Sequence, residues 1–309
     1  IPWKDIVISG HVVSDSKEKI SKSKGSSAIL PENLLSQYSA DAIRFWTASG
    51  TLGHDVAFSE NQLKIGQKLV TKLWNAFIFI SQHFPKTAPS KEKPKKLSAT
   101  NEWILHKSSL CYLAYAENLN KKHEFSLALD QVEKFFWHDF CDNYLEFIKD
   151  QLFNPDRYAA EEIEATRWTL YQVGLRILQF YAPYLPYITE IIYCSLYKEH
   201  EKISSVHQTK FDDIQKIYSF PDSAHRMNII IDLVRQVRKL KSENQLSLKT
   251  EIKTVTISGV DELTRAIIIE QEKILKGIIH AQNIRYSIEP VEITQLEKHE
   301  QHLDATIKL

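Results

Sequence analysis

The sequence predicts a mostly α-helical protein, with a bundle of long helices at its centre and a small α/β unit at its end. Three observations carry this reading. Glycine accounts for 8 of the 309 residues, well below the ~7% usual in soluble chains, and sheet-rich folds need many tight turns. Apolar residues recur at steps of three and four through several long stretches, the period of one helix face. Near the end, apolar and polar residues alternate on both sides of a helical run, the pattern of strands around a helix.

Taken in order, residues 4–9 (Lys-Asp-Ile-Val-Ile-Ser) are short, β-branched and closed by Gly10, and read as a buried strand. A polar stretch crowded with Lys and Ser fills residues 14–27. Pro31 opens a short helix, and residues 40–49 continue helically to Gly50. Leu63, Gly66, Val70, Leu73, Phe77, Ile80 and Phe84 then mark one face of a long helix. Ser59 and Gln62 before it have the spacing of a capping box, and Pro85 ends it. Residues 85–96 hold three prolines and five lysines against one glutamate, a solvated linker. A second helix shows Ile104, Ser108, Cys111, Tyr115 and Leu119 on one face. The third is the clearest, with Phe125, Leu129, Val132, Phe136, Phe140, Tyr144 and Phe147. Trp168, Tyr171, Leu175 and Leu178 mark a fourth, and a fifth starts after Pro183 and Pro186. Such stripes are stable only when packed on one another, hence a bundle. After Pro221, Ile230, Leu233, Val237 and Leu240 form another helix face. Val255 and Ile257 alternate with Thr254 and Thr256, and Ile284, Tyr286 and Ile288 with Arg285 and Ser287, around a helical run at 261–276. The polar tail, 295–309, reads as a frayed end. The expected domains are 1–57, 58–220 and 221–309.

Composition excludes several function classes. With 43% apolar and 25% charged residues the chain has ample core and is not disordered. The 39 basic and 39 acidic residues cancel, so any polyanion must be held by local basic patches rather than by net charge. No apolar run reaches the ~18 residues of a membrane span, and there is neither a leader pattern nor an Asn-x-Ser/Thr acceptor; a cytoplasmic location is expected. Cys111, Cys141 and Cys194 form no Cys-x-x-Cys pair, so they read as reduced thiols, and no zinc or other metal site is expected. His138 and Cys141, spaced for one helix face amid aromatic residues, read as packing. The chain begins at Ile1 in mid-pattern without an initiator Met, which reads as a fragment. Nothing indicates an oligomer.

The chemistry-bearing segment is Lys19-Ile20-Ser21-Lys22-Ser23-Lys24-Gly25. Closely spaced ammonium groups with hydroxyls between them can converge on one polyphosphate. The same composition also suits a solvated basic loop. The lysine-before-glycine order is not that of a Walker loop.

Lys19-Ile20-Ser21-Lys22-Ser23, followed by Asp41-Ala42-Ile43-Arg44-Phe45-Trp46, resembles the KMSKS signature of class I aminoacyl-tRNA synthetases and its sequel, with Ile20 where Met is usual. Lys72-Leu73-Trp74-Asn75-Ala76 resembles the opening of the anticodon-binding bundle in the valyl members, and residues 69–75 and 52–58 look more valyl than isoleucyl. Trp137-His138-Asp139-Phe140-Cys141-Asp142-Asn143-Tyr144-Leu145-Glu146 and Tyr181-Ala182-Pro183-Tyr184-Leu185-Pro186-Tyr187-Ile188-Thr189-Glu190 are similar to later bundle segments of the valyl and isoleucyl members. The resemblance implies the end of a Rossmann-type catalytic domain with its stem-contact helices, then an anticodon-binding helical bundle, then a small α/β unit.

It also implies ATP-dependent aminoacylation of tRNA, with valine tRNA as the partner and ATP with Mg2+ as substrate in the complete enzyme. Lys22 and Lys19 would stabilise departing pyrophosphate as catalytic groups, with Ser21 and Ser23 beside them at the ATP. The family's His-x-Gly-His signature does not occur, so this chain alone is expected to make no aminoacyl adenylate and to hold no cofactor tightly. The alternatives are an isoleucyl homologue, against which the missing Cys-rich zinc module counts, and a standalone tRNA-binding module. Lys72 and Phe79 match positions that approach the anticodon, although Phe79 also reads as core and Ile78 stands where Arg is expected. Trp74 and Asn75 read as structural. Arg235, Arg238, Lys239 and Lys241 form a basic stripe that is either a tRNA contact or a solvated face.

Overall fold

The computed structural model describes residues 2, 6–13, 30–85, 87–90, 92–210, 217–287, 295–299 and 303–308. It is mostly α-helical. The helices are α1 (Pro31–Leu35), α2 (Ala40–Ala48), α3 (Glu60–Gln82), α4 (Ala99–Ala116), α5 (Phe125–Lys134), α6 (Leu145–Phe153), α7 (Ala160–Tyr181), α8 (Pro186–Leu196), α9 (Lys198–Glu201), α10 (Pro221–Glu243), α11 (Glu262–Glu270) and α12 (Glu272–Ile279). The strands are β1 (Val12–Val13), β2 (Val56–Ala57), β3 (Ile252–Ser258), β4 (Ala281–Ser287), β5 (Gln295–Lys298) and β6 (Leu303–Lys308). Two stretches have the wider π-helical winding, Glu117–Lys121 after α4 and Phe135–Tyr144 between α5 and α6. The chain divides into two compact units, one of residues 1–95, 105–141 and 164–219, the other of 96–104, 142–163 and 220–309.

In the first unit, β1 and β2 pair in parallel, Val12 opposite Val56. Ser39 caps α2, its Oγ accepting from the Ala42 amide at 3.2 Å, and Ser59 caps α3 through the Gln62 amide at 3.3 Å. Leu34, Trp46 and Leu63 form a small core with Tyr38, Ile43, Val56 and Phe58 against it, and Trp46 meets Phe58 edge-on at 5.5 Å. Helix α3 crosses α2 closely because position 66 is glycine. A Cβ there would lie 3.0 Å from the Ala42 carbonyl and 3.0 Å from the Phe45 ring. The predicted face of α3 is the buried one, with Leu63, Gly66, Leu69, Leu73, Ala76, Phe77 and Ile80 inside.

Helix α8 starts in an unusual way. Its N-cap residue is Leu185, which makes no side-chain cap, and Pro186 takes the first helical position. The cap comes instead from α2. The buried Asp41 carboxylate accepts the Tyr187 amide at 3.1 Å and the Ile188 amide at 2.7 Å. Arg44 of the same helix donates to the Pro183 carbonyl at 2.8 Å.

The second unit is built on a four-stranded sheet of order β4-β3-β6-β5, with β3 parallel to both neighbours and β5 antiparallel to β6. Val255, Ile257, Ala305 and Ile307 are buried in it, and Ile267, Ile268, Leu275 and Ile279 bury the helical side. Lys241 of α10 lies inside as well, 1% exposed. Its ammonium donates to the carbonyls of Leu248 at 3.0 Å, Thr250 at 2.7 Å and Ile279 at 2.7 Å. All three of its N–H bonds are thereby used, which ties the end of α10 to the loop before β3 and to the carbonyl end of α12.

The structure departs from the sequence reading in several places, among them the third helix, which is π-wound over Phe135–Tyr144. Residues 6–9 are neither strand nor buried, with Ile6 and Ile8 each 71% exposed; no neighbouring strand covers them among the described residues, and residues 4 and 5 lie outside those. The tail is not frayed: Leu303, Ala305 and Ile307 alternate with Asp304, Thr306 and Lys308, and β6 fills an interior place in the sheet. The run at 261–276 is two helices rather than one, broken at Gln271.

Burial, and after it the nearby Arg238 charge, pushes the Lys241 ammonium down to about 8 from its ordinary 10.5. Between those values the unfolded chain holds more protons than the folded one, so stability rises with pH from about 8 to 10.5 and is lost as pH falls through about 8. We expect urea unfolding to show the parent chain gaining ~1–3 kcal/mol over Lys241→Met across that interval; parallel pH profiles would refute the depressed lysine.

Candidate nucleic-acid interface

Lys19, Ser21, Lys22 and Ser23 lie outside the described residues, and only the segments on either side of them are described. On the upstream side β1 is hydrogen-bonded to β2, and the Val56 amide donates to the His11 carbonyl at 2.8 Å. On the downstream side Leu34 of α1 is buried against Trp46 and Leu63. Both flanks therefore rest on one small block made of β1, β2, α1, α2 and the start of α3.

Helix α3 leaves this block with two contrasting faces. Opposite its buried stripe, Lys64, Lys68, Thr71, Asn75 and Ile78 follow one another at helical spacing in solvent, with Trp74 beside them. Trp74 is 43% exposed and Ile78 44%. Lys64 pairs with Glu60 at 2.8 Å, while Lys68 has no carboxylate within ion-pair distance among the described residues. An exposed indole on a helix that also carries ammonium groups is the arrangement that takes an unstacked base and its phosphate.

The two residues expected at the anticodon occupy different settings. Lys72 is half-buried, its ammonium 5.2 Å from the centre of the Trp137 ring, held over the aromatic face. Phe79 is also half-buried, its ring 5.1 Å from that of His83. Burial and the Arg167 charge hold the His83 imidazole below its ordinary pKa, so it faces Phe79 as a neutral ring at neutral pH. Both residues lie on α3, seven positions apart and therefore on the same side of the exposed stripe, with Trp74 on the other side. Trp74, which the sequence reading made structural, is the exposed aromatic of the helix. The clue was present, because position 74 falls outside the Leu63-to-Ile80 stripe.

Arg235 and Arg238 lie on α10, in the other unit. Arg235 points into solvent, its side chain 77% exposed, but bonds Asp232 one turn earlier. Arg238 donates to the Asp142 carbonyl at 3.3 Å, and Lys239 is 3.8 Å from Glu243. Lys241, the fourth member of the expected stripe, is core; the loop that follows α10 closes over it with carbonyls. The basic stripe is thus shorter than its sequence suggests and is locally neutralised. Counting whole units gives the same direction: 23 basic against 19 acidic residues in the first, 16 against 20 in the second. A polyanion is drawn to the first unit. Among the described residues no group of three His, Cys, Asp or Glu side chains is placed to hold a metal ion, and no helix is long and apolar enough to cross a membrane.

Comparison with known proteins adds the following. The family described as the anticodon-binding domain of tRNA ligase matches residues 101–257, and that of class I tRNA synthetases (I, L, M and V) matches residues 1–59. A valine–tRNA ligase of Rickettsia felis is 34% identical over 93% of this chain and 33% of its own length. The valine–tRNA ligase of Rickettsia canadensis is 36% identical over 94% and 35%, and that of Anaplasma marginale 37% identical over 84% and 30%. The chain spans about a third of the length of these curated relatives. Helix α3 falls between the two family matches but within the span of the relatives.

The exposure of α3 separates surface from core by experiment. Trp74→Ala should change the free energy of unfolding by less than ~1 kcal/mol, as surface substitutions do. Phe77→Ala, three residues on and buried, should cost ~3–5 kcal/mol. Equal losses in urea titrations would return Trp74 to the core.

Proposed function

We propose, from the premise that the chain belongs to the family of anticodon-binding domains of tRNA ligases, that it is the C-terminal portion of a valine–tRNA ligase and binds valine tRNA. The observation that carries this is the solvent face of α3, with Trp74 and Lys68 exposed on it and Lys72 and Phe79 along one edge, on the unit with excess positive charge. An unpaired anticodon base stacks on the indole, and the ammonium groups follow the adjacent phosphates. Lys72 is preoriented by Trp137 and Phe79 by His83, so each meets RNA with little loss of side-chain freedom. Arg235 and Arg238 contribute weaker contacts, because their charges are already partly engaged.

In the functional division, residues 1–57 end the catalytic domain and carry its stem-contact helices, 58–220 form the anticodon-binding bundle, and 221–309 form the closing α/β unit. The bare apolar flank at Ile6, Val7 and Ile8 is what a strand leaves when the rest of its sheet belongs to a larger domain, and the class I synthetase match over 1–59 supports that. In the complete enzyme, adenylate formation requires the carboxylate of valine to attack the α-phosphate of ATP, presented with Mg2+. Negative charge then gathers on the leaving pyrophosphate. Lys22 and Lys19 neutralise that charge, with Ser21 and Ser23 donating to the phosphates. The enzyme works in the cytoplasm, where tRNA is charged.

Binding by the purified chain tests this reading. Valine tRNA should bind at least ~10-fold more tightly than the same tRNA with a changed anticodon, a difference of the size that loss of one stacked base produces. Trp74→Ala should abolish most of that difference, Lys68→Glu should weaken binding of both tRNAs alike, and affinity should fall steeply with added salt. Equal binding of unrelated tRNAs would reject the assignment.

A further inference from the structure

The block holding both flanks of the Lys/Ser loop meets the corner between α7 and α8 through two polar contacts. One is the Asp41 carboxylate on the Tyr187 and Ile188 amides, the other Arg44 on the Pro183 carbonyl. They stand at a corner where Ala42, Tyr184 and Leu185 are buried. Beside them opens a cavity of about 290 Å³, bordered by Arg44, Thr47, Ala48, Leu119, Phe125 and Tyr184. Walls facing each other across that cavity give little dispersion attraction, so the hydrogen bonds add direction there to the packing of α2 on α3 and α8. Those bonds are directional, two of them end on an anion, and Asp41 is 3% exposed and shielded from competing water.

On one side of the joint, α2 bears on α1 and β2 through Leu34, Trp46 and Val56. On the other, α8 packs along α3, the helix with the Trp74 face, and Phe77 of α3 lies edge-on to Tyr197 just past the end of α8. The joint therefore lies on a continuous path of packed elements between the loop's flanks and the bundle.

We infer that Asp41 and Arg44 are positioning residues that couple tRNA held on the bundle to the Lys/Ser loop. The inference rests on the tRNA-ligase reading above. Neither residue touches substrate; each fixes where the bundle stands relative to the loop's anchors, and misplacement of reacting groups by about 1 Å can cost ~100-fold in rate.

The test uses the complete gene product, with Asp41→Asn and, separately, Arg44→Ala. The asparagine amide can accept one of the two N–H bonds and turns an NH2 toward the other. Arg44 is exposed, so its removal spares the core. Three quantities are read: valine-dependent pyrophosphate exchange without tRNA, kcat and KM for charging valine tRNA, and the loss of charging when the anticodon is changed. We expect exchange to stay within about twofold, charging kcat to fall roughly 10-fold, and the anticodon penalty to shrink in both variants. A full anticodon penalty in both variants overturns the coupling, as does a parallel fall of exchange and charging, which marks general structural damage. If Asp41→Asn does not fold, Arg44→Ala decides. Absence of valine-dependent exchange in the unaltered enzyme refutes the ligase reading itself, and the coupling falls with it.

Discussion

A single buried carboxylate sets the arrangement of the first unit. Removing Asp41 from water is costly unless donors replace the lost hydration, and two backbone amides of α8 do so. The same two amides would otherwise be orphans, since a helix leaves its first N–H groups unpaired and Leu185 offers no side-chain oxygen. Each partner thus satisfies a need of the other across 146 residues of chain. Burial pushes the Asp41 carboxyl above the ordinary carboxylate range, and the amides of Ile188 and Tyr187, then Arg44, pull it back. This anion favours the positive end of the α8 dipole while its own helix is held by Ser39 and pressed against Gly66.

Local features were legible in the sequence where the physics is local. Ser59 and Gln62 announced the start of α3, the steps from Leu63 to Ile80 gave its buried face, and Pro85 marked its end, because caps, periodicity and proline act within a few residues. What could not be read is what depends on distant partners. Asp41 looks like an ordinary first-turn acid until α8 arrives on it. Lys241 belongs to a basic run by composition, yet the loop after α10 folds back and offers three carbonyls. β6 carried its alternation openly, but six residues inside a polar tail gave no sign that two other strands would sandwich them. The candidate tRNA face was half visible: the resemblance marked Lys72 and Phe79, while the helix geometry adds Trp74 and Lys68, which a search for buried stripes passes over.

The two units solve similar problems with opposite charges. In the first an anion serves amides at the start of a helix; in the second the Lys241 cation serves carbonyls, one of them at the end of α12. Both follow the helix dipole, and both use a charge to anchor a chain reversal. The π-helical stretch Phe135–Tyr144 shows a different accommodation. There Phe135, Phe136, Phe140 and Tyr144 are all buried, and the wider winding turns closely spaced bulky rings inward on one segment.

The placement of the tryptophans has an optical consequence. Trp46, Trp103 and Trp168 are buried, and Trp137 is half-covered beneath the Lys72 ammonium. Among the described residues Trp74 is the indole most open to water. Its emission lies to the red of the other described tryptophans, and a dissolved quencher such as iodide reaches it ahead of them. The helix face assigned to RNA thereby carries its own spectroscopic reporter, without any attached dye.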